Sequence, residues 1–406
     1  MYQNAAILAA LLLIYSAVAG RVERSWLSGP IVFTAAGVLL GSYGLGVVRL
    51  NLGAAGLRTL AELTLAMVLF TDAANADFDI VRRSIGVPER LLLIGLPLTI
   101  ALGFLVARVM FPGLAPLEAA LLAAILAPTD AALGKPVVTN AEVPAVLREG
   151  LNIESGLNDG ICVPIVVLLL GLAVGTQIEH EPLNHAVRVV AEELGIGAAV
   201  GLAATWLTTL LLRFAERLGW IGEHWEEVPI VALAAACFAA AQALGGSGFI
   251  ACFVGGLLLS GLRRHHKQAM LGGAVATGEA MALLTWIAFG VGVLAQIIDR
   301  LSWAAIIYAV LSLTAIRMVP VLLCLAGTGM RIAEKLFVAW FGPRGLATLV
   351  FGVIVFNEKL PGNDTIVTVA GGTVLLSVIV HGISANPLVK AMAEPSSKTP
   401  PAVRHP

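Results

Sequence analysis

The chain has 406 residues, 58% of them hydrophobic and only 13% charged, with a mean hydropathy of +0.92. A soluble domain is about half apolar and about a quarter charged, so a water-soluble globular protein is excluded and an all-α polytopic membrane protein is expected. The formal net charge of -1 gives no excess of either sign to attract a nucleic acid, and no such partner is expected.

A bilayer core is crossed by about 20 apolar residues in a helix. Runs of that order, separated by charge or by Pro and Gly, predict about thirteen spans: residues 4–20, 28–49, 56–75, 90–112, 116–134, 150–175, 190–214, 228–244, 247–263, 270–298, 301–327, 333–356 and 364–390. No basic region with a following A-x-A site precedes the first run, which is therefore expected to be a retained span, not a signal peptide. The eighth and ninth are divided only by "GGSG", residues 245–248. Lys and Arg supply an independent test, because cytoplasmic loops collect them. Seventeen lie after odd-numbered spans or in the tail and six on the opposite side, which predicts an outside N-terminus and a cytoplasmic C-terminus in the cell (inner) membrane. The tail, "AMAEPSSKTPPAVRHP" from Ala391, is polar and Pro-rich and expected to be disordered.

Ionisable groups at membrane depth are costly and mark functional candidates. They are Asp72 in the third span, Asp130 in the fifth, Glu154 and Asp159 in the sixth, Glu279 in the tenth, Arg317 in the eleventh and Arg344 in the twelfth. A structural ion pair or a wet helix end accounts equally well for Asp72, Glu279 and Glu62. Asp77 and Asp79, beside Arg82 and Arg83, are expected to be solvated.

The fifth span carries "AILAPTDAALGKP", residues 124–136, where Pro128 removes a donor and biases Ala127 away from helix, so a break near Thr129 and Asp130 is expected. In the twelfth, "WFGPRGLA", residues 340–347, predicts a comparable break. Broken helices at corresponding positions point to a transporter's midplane site. The two lie seven spans apart, an odd offset, so the repeats containing them are expected to be inverted. Half-helix ends carry partial charges; Asp130 suits a positive end and Arg344 a negative one.

The sixth span, "LNIESGLNDG", residues 151–160, has two polar stripes: Ser155 with Asp159, and Glu154 with Asn158, each pair four apart on one helix face. Carboxylate, hydroxyl and amide oxygens make a cage for a small hard cation. Without a cation, a bare anion there is stranded in low dielectric, so Asp159 is expected to take a proton instead, and the two compete for one site. The residues alone leave open whether Glu154 pairs with Arg317 or Arg344. No nucleotide-binding "GxxxxGK[ST]" or zinc-protease "HExxH" occurs, and Cys162, Cys237, Cys252 and Cys324 show no CxxC spacing. Neither an enzyme nor a cofactor is expected.

"APTDAAL", "LREGLNIESGLNDGICVP", "LTAIRMVP", "WFGPRGL" and "LLSVIVHGISANPL" together resemble the monovalent cation:proton antiporters, in the sodium/proton exchanger branch of prokaryotic NhaP type, over about Leu69 to Leu388. "ESGLNDG" is similar to the family's E-S-x-x-N-D signature, whose Asn-Asp pair marks electroneutral exchange. The chain departs from the pattern at Gly156, at Pro343 and at Asp72, which stands one place beyond the usual acidic position. The resemblance implies that Asp159 binds the cation, sodium or lithium, or the proton, with Ser155 and Thr129 adding oxygens and Asn158 orienting the site. It also implies a buried Glu154–Arg317 pair, Asp130 and Arg344 at the helix crossing, and Asp72 as a possible helper. A homodimer is implied, with residues 4–75 and 228–298 as scaffold, 90–175 and 301–390 as a mobile core moving like an elevator, and 190–214 as linker. Potassium/proton exchange at the same site is the alternative, and a cation channel a more distant one.

Overall fold

A computed structural model describes residues 2–22, 27–48, 54–76, 86–130, 133, 135–138, 140, 142–177, 183–222, 225, 227–262, 267–294, 297, 299–358 and 360–393. These form helices and turns, with no strand among the described residues. The expectations for Asp77, Asp79, Arg82 and Arg83, and for most of the tail, lie outside them.

The first helix, α1 (Tyr2–Val22), has no buried residue and meets its neighbour through the edge-on Tyr15–Phe33 ring pair, 5.0 Å between centroids. α2 (Gly29–Leu40) starts with Pro30 in its first turn, where the missing N–H costs nothing. It stops well short of the predicted residue 49. "GSYGLG" turns the chain back instead: Leu45 N–H donates to the Leu39 carbonyl, and Gly46 adopts φ +63°. α3 (Ala54–Asn75) follows as predicted, and α4 (Val87–Met110) contains a π-helical turn at Leu91–Gly95. Pro97 has no N–H for the Leu93 carbonyl, and a wider turn just before it relieves that mismatch.

The fifth stretch divides into α5 (Pro116–Ile125) and the short α6 (Lys135–Val138). α7 (Ala145–Gln177) and α8 (Leu183–Arg217) are each longer than predicted, and α9 (Val228–Ala243) and α10 (Gly248–Leu262) are separate helices, with Gly245 at φ +76° between them. α11 (Lys267–Ala288) runs into a π-helical turn, Phe289–Val293. The eleventh stretch is interrupted as well, which the sequence reading did not anticipate. α12 (Trp303–Leu313) and α13 (Ala315–Cys324) meet at Thr314, whose φ -110°, ψ -99° is non-helical. The twelfth divides into α14 (Ile332–Trp340) and α15 (Leu346–Asn357), and α16 (Asn363–Ala393) completes the described chain.

Among the described residues seven helical stretches are long and apolar enough to cross a membrane, and α2, α5, α9, α10 and α15 are shorter apolar helices. α3 packs against α9, α10 and α11, while α2 lies on α11 and α8 on α7, α9 and α10. α5 lies between α4 and α7, and α16 packs on α12 and α15. α3 and α7 also touch, as do α3 and α15. Lipid is as apolar as leucine, so helices in a membrane associate through close packing of small residues. At the α2–α11 contact a Cβ on Gly37 would lie 2.5 Å from the Ile287 carbonyl oxygen and 3.0 Å from Gly290 Cα.

Candidate functional site

α5 gives up at Ile125, three residues before Pro128, and no residue from Phe341 to Gly345 is helical. Non-helical backbone at this depth must be buried in protein or line a cavity, and here each break satisfies the other. The Asp130 N–H donates to the Pro343 carbonyl at 2.7 Å, and Thr348 Oγ1 donates to the Ile125 carbonyl at 2.8 Å. Arg344, wholly buried, donates through Nη1 to the Ala127 carbonyl and, at 3.0 Å, to that of Pro128. Asp130 Oδ2 accepts from the Leu346 N–H at 2.8 Å. The guanidinium thus stands at the negative C-terminal end of α5 and the carboxylate at the positive N-terminal end of α15. The approach leaves no room for a side chain at residue 345, because a Cβ there would overlap the Asp130 carboxylate.

α7 runs beside this crossing. Ser155 Oγ donates to the Thr129 carbonyl at 2.7 Å, and Asn158 Nδ2 donates to Thr129 Oγ1 at 2.7 Å. Both stripes of α7 therefore hold the unwound Thr129. Asp159, one turn beyond Ser155, is buried, and its Oδ1 and Asn158 Oδ1 accept no hydrogen bond among the described residues. Buried acceptors without donors are rare in folded proteins; a proton or a hard cation supplies what these two lack. A narrow cleft is lined by Thr129, Asp130, Val137, Val138, Leu151, Ser155, Phe341 and Pro343. Of that lining, Leu151 and Ser155 belong to α7, and Asp159 is one turn beyond Ser155.

Glu154 faces the other way. Arg317 Nη1 and Nη2 donate to its Oε1 and Oε2 at 2.5 and 2.7 Å, a bidentate pair with both side chains at most 2% exposed. Arg344, whose Nη1 donates to the Ala127 and Pro128 carbonyls just beyond α5, is not its partner. The pair and the Thr129 crossing share a wall at Gly342: a Cβ there would lie 2.5 Å from Arg317 Nε and 3.1 Å from Thr129 Cγ2. Gly342→Ala is therefore expected to displace Arg317 and destabilise the protein by about 1–3 kcal/mol, read as a lower melting temperature in detergent; an unchanged melting temperature would show that this wall yields freely.

Asp72 is half-buried on α3, and a Cβ on Gly156 would come within 3.8 Å of its own, so it reaches α7 beside the Ser155–Asp159 stripe. Glu62 belongs to an ion pair: Arg58 donates to it at 2.6 Å and to Glu358, at the end of α15, at 3.0 Å. Glu279 is exposed on α11. The sequence reading missed Glu118, 1% exposed, whose carboxylate accepts from the Ala115 N–H at 2.9 Å and the Gly362 N–H at 2.7 Å. Its only signal is the capping spacing at the start of α5, which reads as a solvated first-turn acid. Tyr308, donating to the Gly103 carbonyl at 3.0 Å, and the Ser377–His381 pair of α16 were also missed.

The family model for "Sodium/hydrogen exchanger, transmembrane" matches residues 7–391. The chain belongs to the sodium/hydrogen exchanger family. Among the relatives of this exchanger chain is the K+/H+ antiporter NhaP of Alkalimonas amylolytica, 26% identical over 364 residues, covering 89% of this chain and 62% of the relative. The K+/H+ antiporter NhaP2 of Shewanella sp. (strain ANA-3) is 24% identical over 388 residues, covering 93% of this chain and 64% of the relative. The chain thus spans just under two thirds of the length of either. The sodium proton antiporter MjNhaP1 of Methanocaldococcus jannaschii, solved at pH 8, superimposes with a TM-score of 0.74 at 20% identity, covering 96% of this chain and 98% of that one. At that identity the likeness is one of fold: the exchanger-family chain is a multi-pass membrane protein with the MjNhaP1 architecture.

Proposed function

We propose that the protein exchanges a monovalent cation for a proton electroneutrally across the cell membrane, with both ions using Asp159 in turn. The observation that carries this is the buried Asp159 oxygen without a donor, beside the equally unpartnered Asn158 Oδ1, where α7 holds the crossing of two broken helices. Asn158 cannot ionise, so a single carboxylate serves the site and one cation replaces one proton. The Thr129 and Ser155 oxygens complete a hard-ligand set suited to sodium or lithium. A second reading, potassium/proton exchange, has specific support in the names of the Alkalimonas and Shewanella relatives, both K+/H+ antiporters.

Alternating access in this reading carries residues 90–175 and 301–390 past a scaffold of residues 4–75 and 228–298, which also forms a homodimer, with residues 190–214 as linker. The N-terminus lies outside and the C-terminus in the cytoplasm. The Arg58–Glu358 pair joins the scaffold helix α3 to the end of α15 and must part during the movement. The test is proton movement in proteoliposomes carrying a pH dye and an imposed pH gradient, with sodium, lithium and potassium added in turn. A response to sodium and lithium, insensitive to clamping the membrane potential, supports the first reading. A response to potassium alone selects the second, and current without proton movement replaces both with a channel.

A further inference from the structure

In a continuous helix the N–H of residue 344 would donate to the carbonyl of residue 340, four positions earlier. The break between α14 and α15 forbids this bond, and both groups lie in the protein interior, where an unpaired backbone group is costly. One turn of α16 stands beside the gap. The Arg344 N–H donates to Ser377 Oγ at 2.7 Å, and His381 Nε2 lies 3.0 Å from the Trp340 carbonyl oxygen, which also accepts from the Gly342 N–H. Ser377 Oγ and His381 Nδ1 are 3.2 Å apart, and both side chains are at most 1% exposed.

The proton positions follow from the bonds that each neutral tautomer can make. A carbonyl oxygen only accepts, so with its hydrogen on Nε2 the ring donates to Trp340 and Nδ1 is an acceptor. The donor available to it is the Ser377 hydroxyl, whose oxygen is already accepting from Arg344. Either neutral tautomer leaves one ring lone pair facing a carbonyl oxygen at 3.0 Å, Nδ1 facing Ser377 or Nε2 facing Trp340; the one with hydrogen on Nε2 also lets the Ser377 hydroxyl donate to Nδ1 at 3.2 Å, two bonds where the opposite tautomer makes one. We propose that Ser377 and His381, four residues apart on α16, splice the broken helix: the chain Arg344 N–H to Ser377 O–H to His381, and His381 N–H to Trp340, replaces one of the backbone bonds that the crossing had to give up.

Both are positioning residues. Arg344, whose backbone N–H the splice holds, reaches the Ala127 and Pro128 carbonyls with its side chain, and the next residue along is Thr129, to which Ser155 and Asn158 are bonded. The splice therefore sets where the Thr129 oxygens stand relative to Asp159. His381 acquires this role only when backbone groups of another helix are brought to α16.

The transport part of the test rests on the exchange reading above. In the reconstituted protein, His381→Leu is expected to raise the cation concentration for half-maximal exchange about tenfold, the cost of taking its second donor from the Trp340 carbonyl and its acceptor from the buried Ser377 hydroxyl, with the maximal rate within about threefold of wild type. His381→Gln, whose amide N–H still reaches Trp340, is expected to recover most of that loss. Ser377→Ala combined with His381→Leu is expected to be little worse than His381→Leu alone, since the two act as one unit. Half-saturation unchanged in His381→Leu, a Gln variant as impaired as the Leu, or penalties that multiply in the double variant would each overturn the splice. A second arm needs no transport: 15N-histidine NMR, with the signal assigned by its loss in His381→Gln, is expected to show Nε2 protonated and Nδ1 bare, and the reverse tautomer overturns the proposal. Should wild type exchange no ion, the exchange reading fails and this tautomer alone decides the splice.

Discussion

Asp159→Asn is expected to abolish cation-dependent proton movement, by at least about a hundredfold, while the purified protein keeps its size-exclusion profile. The substitution is nearly isosteric and removes only the capacity to ionise. Two neighbouring acids cannot stand in, because Asp130 is committed to the Leu346 N–H and Glu154 to Arg317. Stability should be equal or higher: a buried carboxylate oxygen without a donor is a strain on the fold, of the kind retained where function demands it. An active site that stabilises the protein when neutralised is a different object from a structural ion pair. The check is the pH-dye assay with sodium, lithium and potassium beside a melting curve of the same preparation, and near-normal exchange by the variant would remove Asp159 from the transport cycle.

How much of this was legible in the chain depended on how local the physics was. Pro128 and Pro343 act on the backbone within a few residues, so the two breaks could be placed from sequence, although α5 unwinds a turn earlier than Pro128 alone suggests. The stripes of α7 likewise follow from helical spacing. α2 was overextended because hydropathy persists through "GSYGLG", where the glycine turn, not polarity, ends the helix. The break at Thr314 has no such marker: an ordinary threonine in an apolar run gives no sign that its neighbours will not stay helical. Partnerships between distant helices were out of reach for a stronger reason. Arg317 and Arg344 are both lone arginines in apolar spans, and nothing in their flanking residues says that one meets a carboxylate and the other two carbonyls. Glu118 and His381 were passed over for the same cause, since each is defined by backbone groups of another segment.

The Glu154–Arg317 pair should respond to mutation in the opposite sense to Asp159. Arg317→Met removes the guanidinium and leaves the Glu154 carboxylate in a site 2% exposed to solvent with neither oxygen compensated. Breaking half of a buried pair costs about 3–5 kcal/mol, whereas removing both charges costs far less, because desolvation of the ions had already offset most of their attraction. Arg317→Met is therefore expected to lower the melting temperature by many degrees or to prevent accumulation of folded protein, and Glu154→Gln with Arg317→Met to recover most of it. The double variant retains Asp159, Asn158, Ser155 and Thr129, so it should show measurable exchange, reduced because Arg317 also forms the wall that Gly342 shares with Thr129. The measurement is a two-by-two set of melting curves on Glu154→Gln, Arg317→Met, their combination and wild type. If Arg317→Met costs as much with Gln at 154 as with Glu, the two residues are not energetically coupled and the second stripe of α7 needs another explanation. If the double variant is as stable as wild type but exchanges nothing, the pair belongs to the transport site itself, and the division between an ion-carrying stripe and a structural stripe on α7 falls.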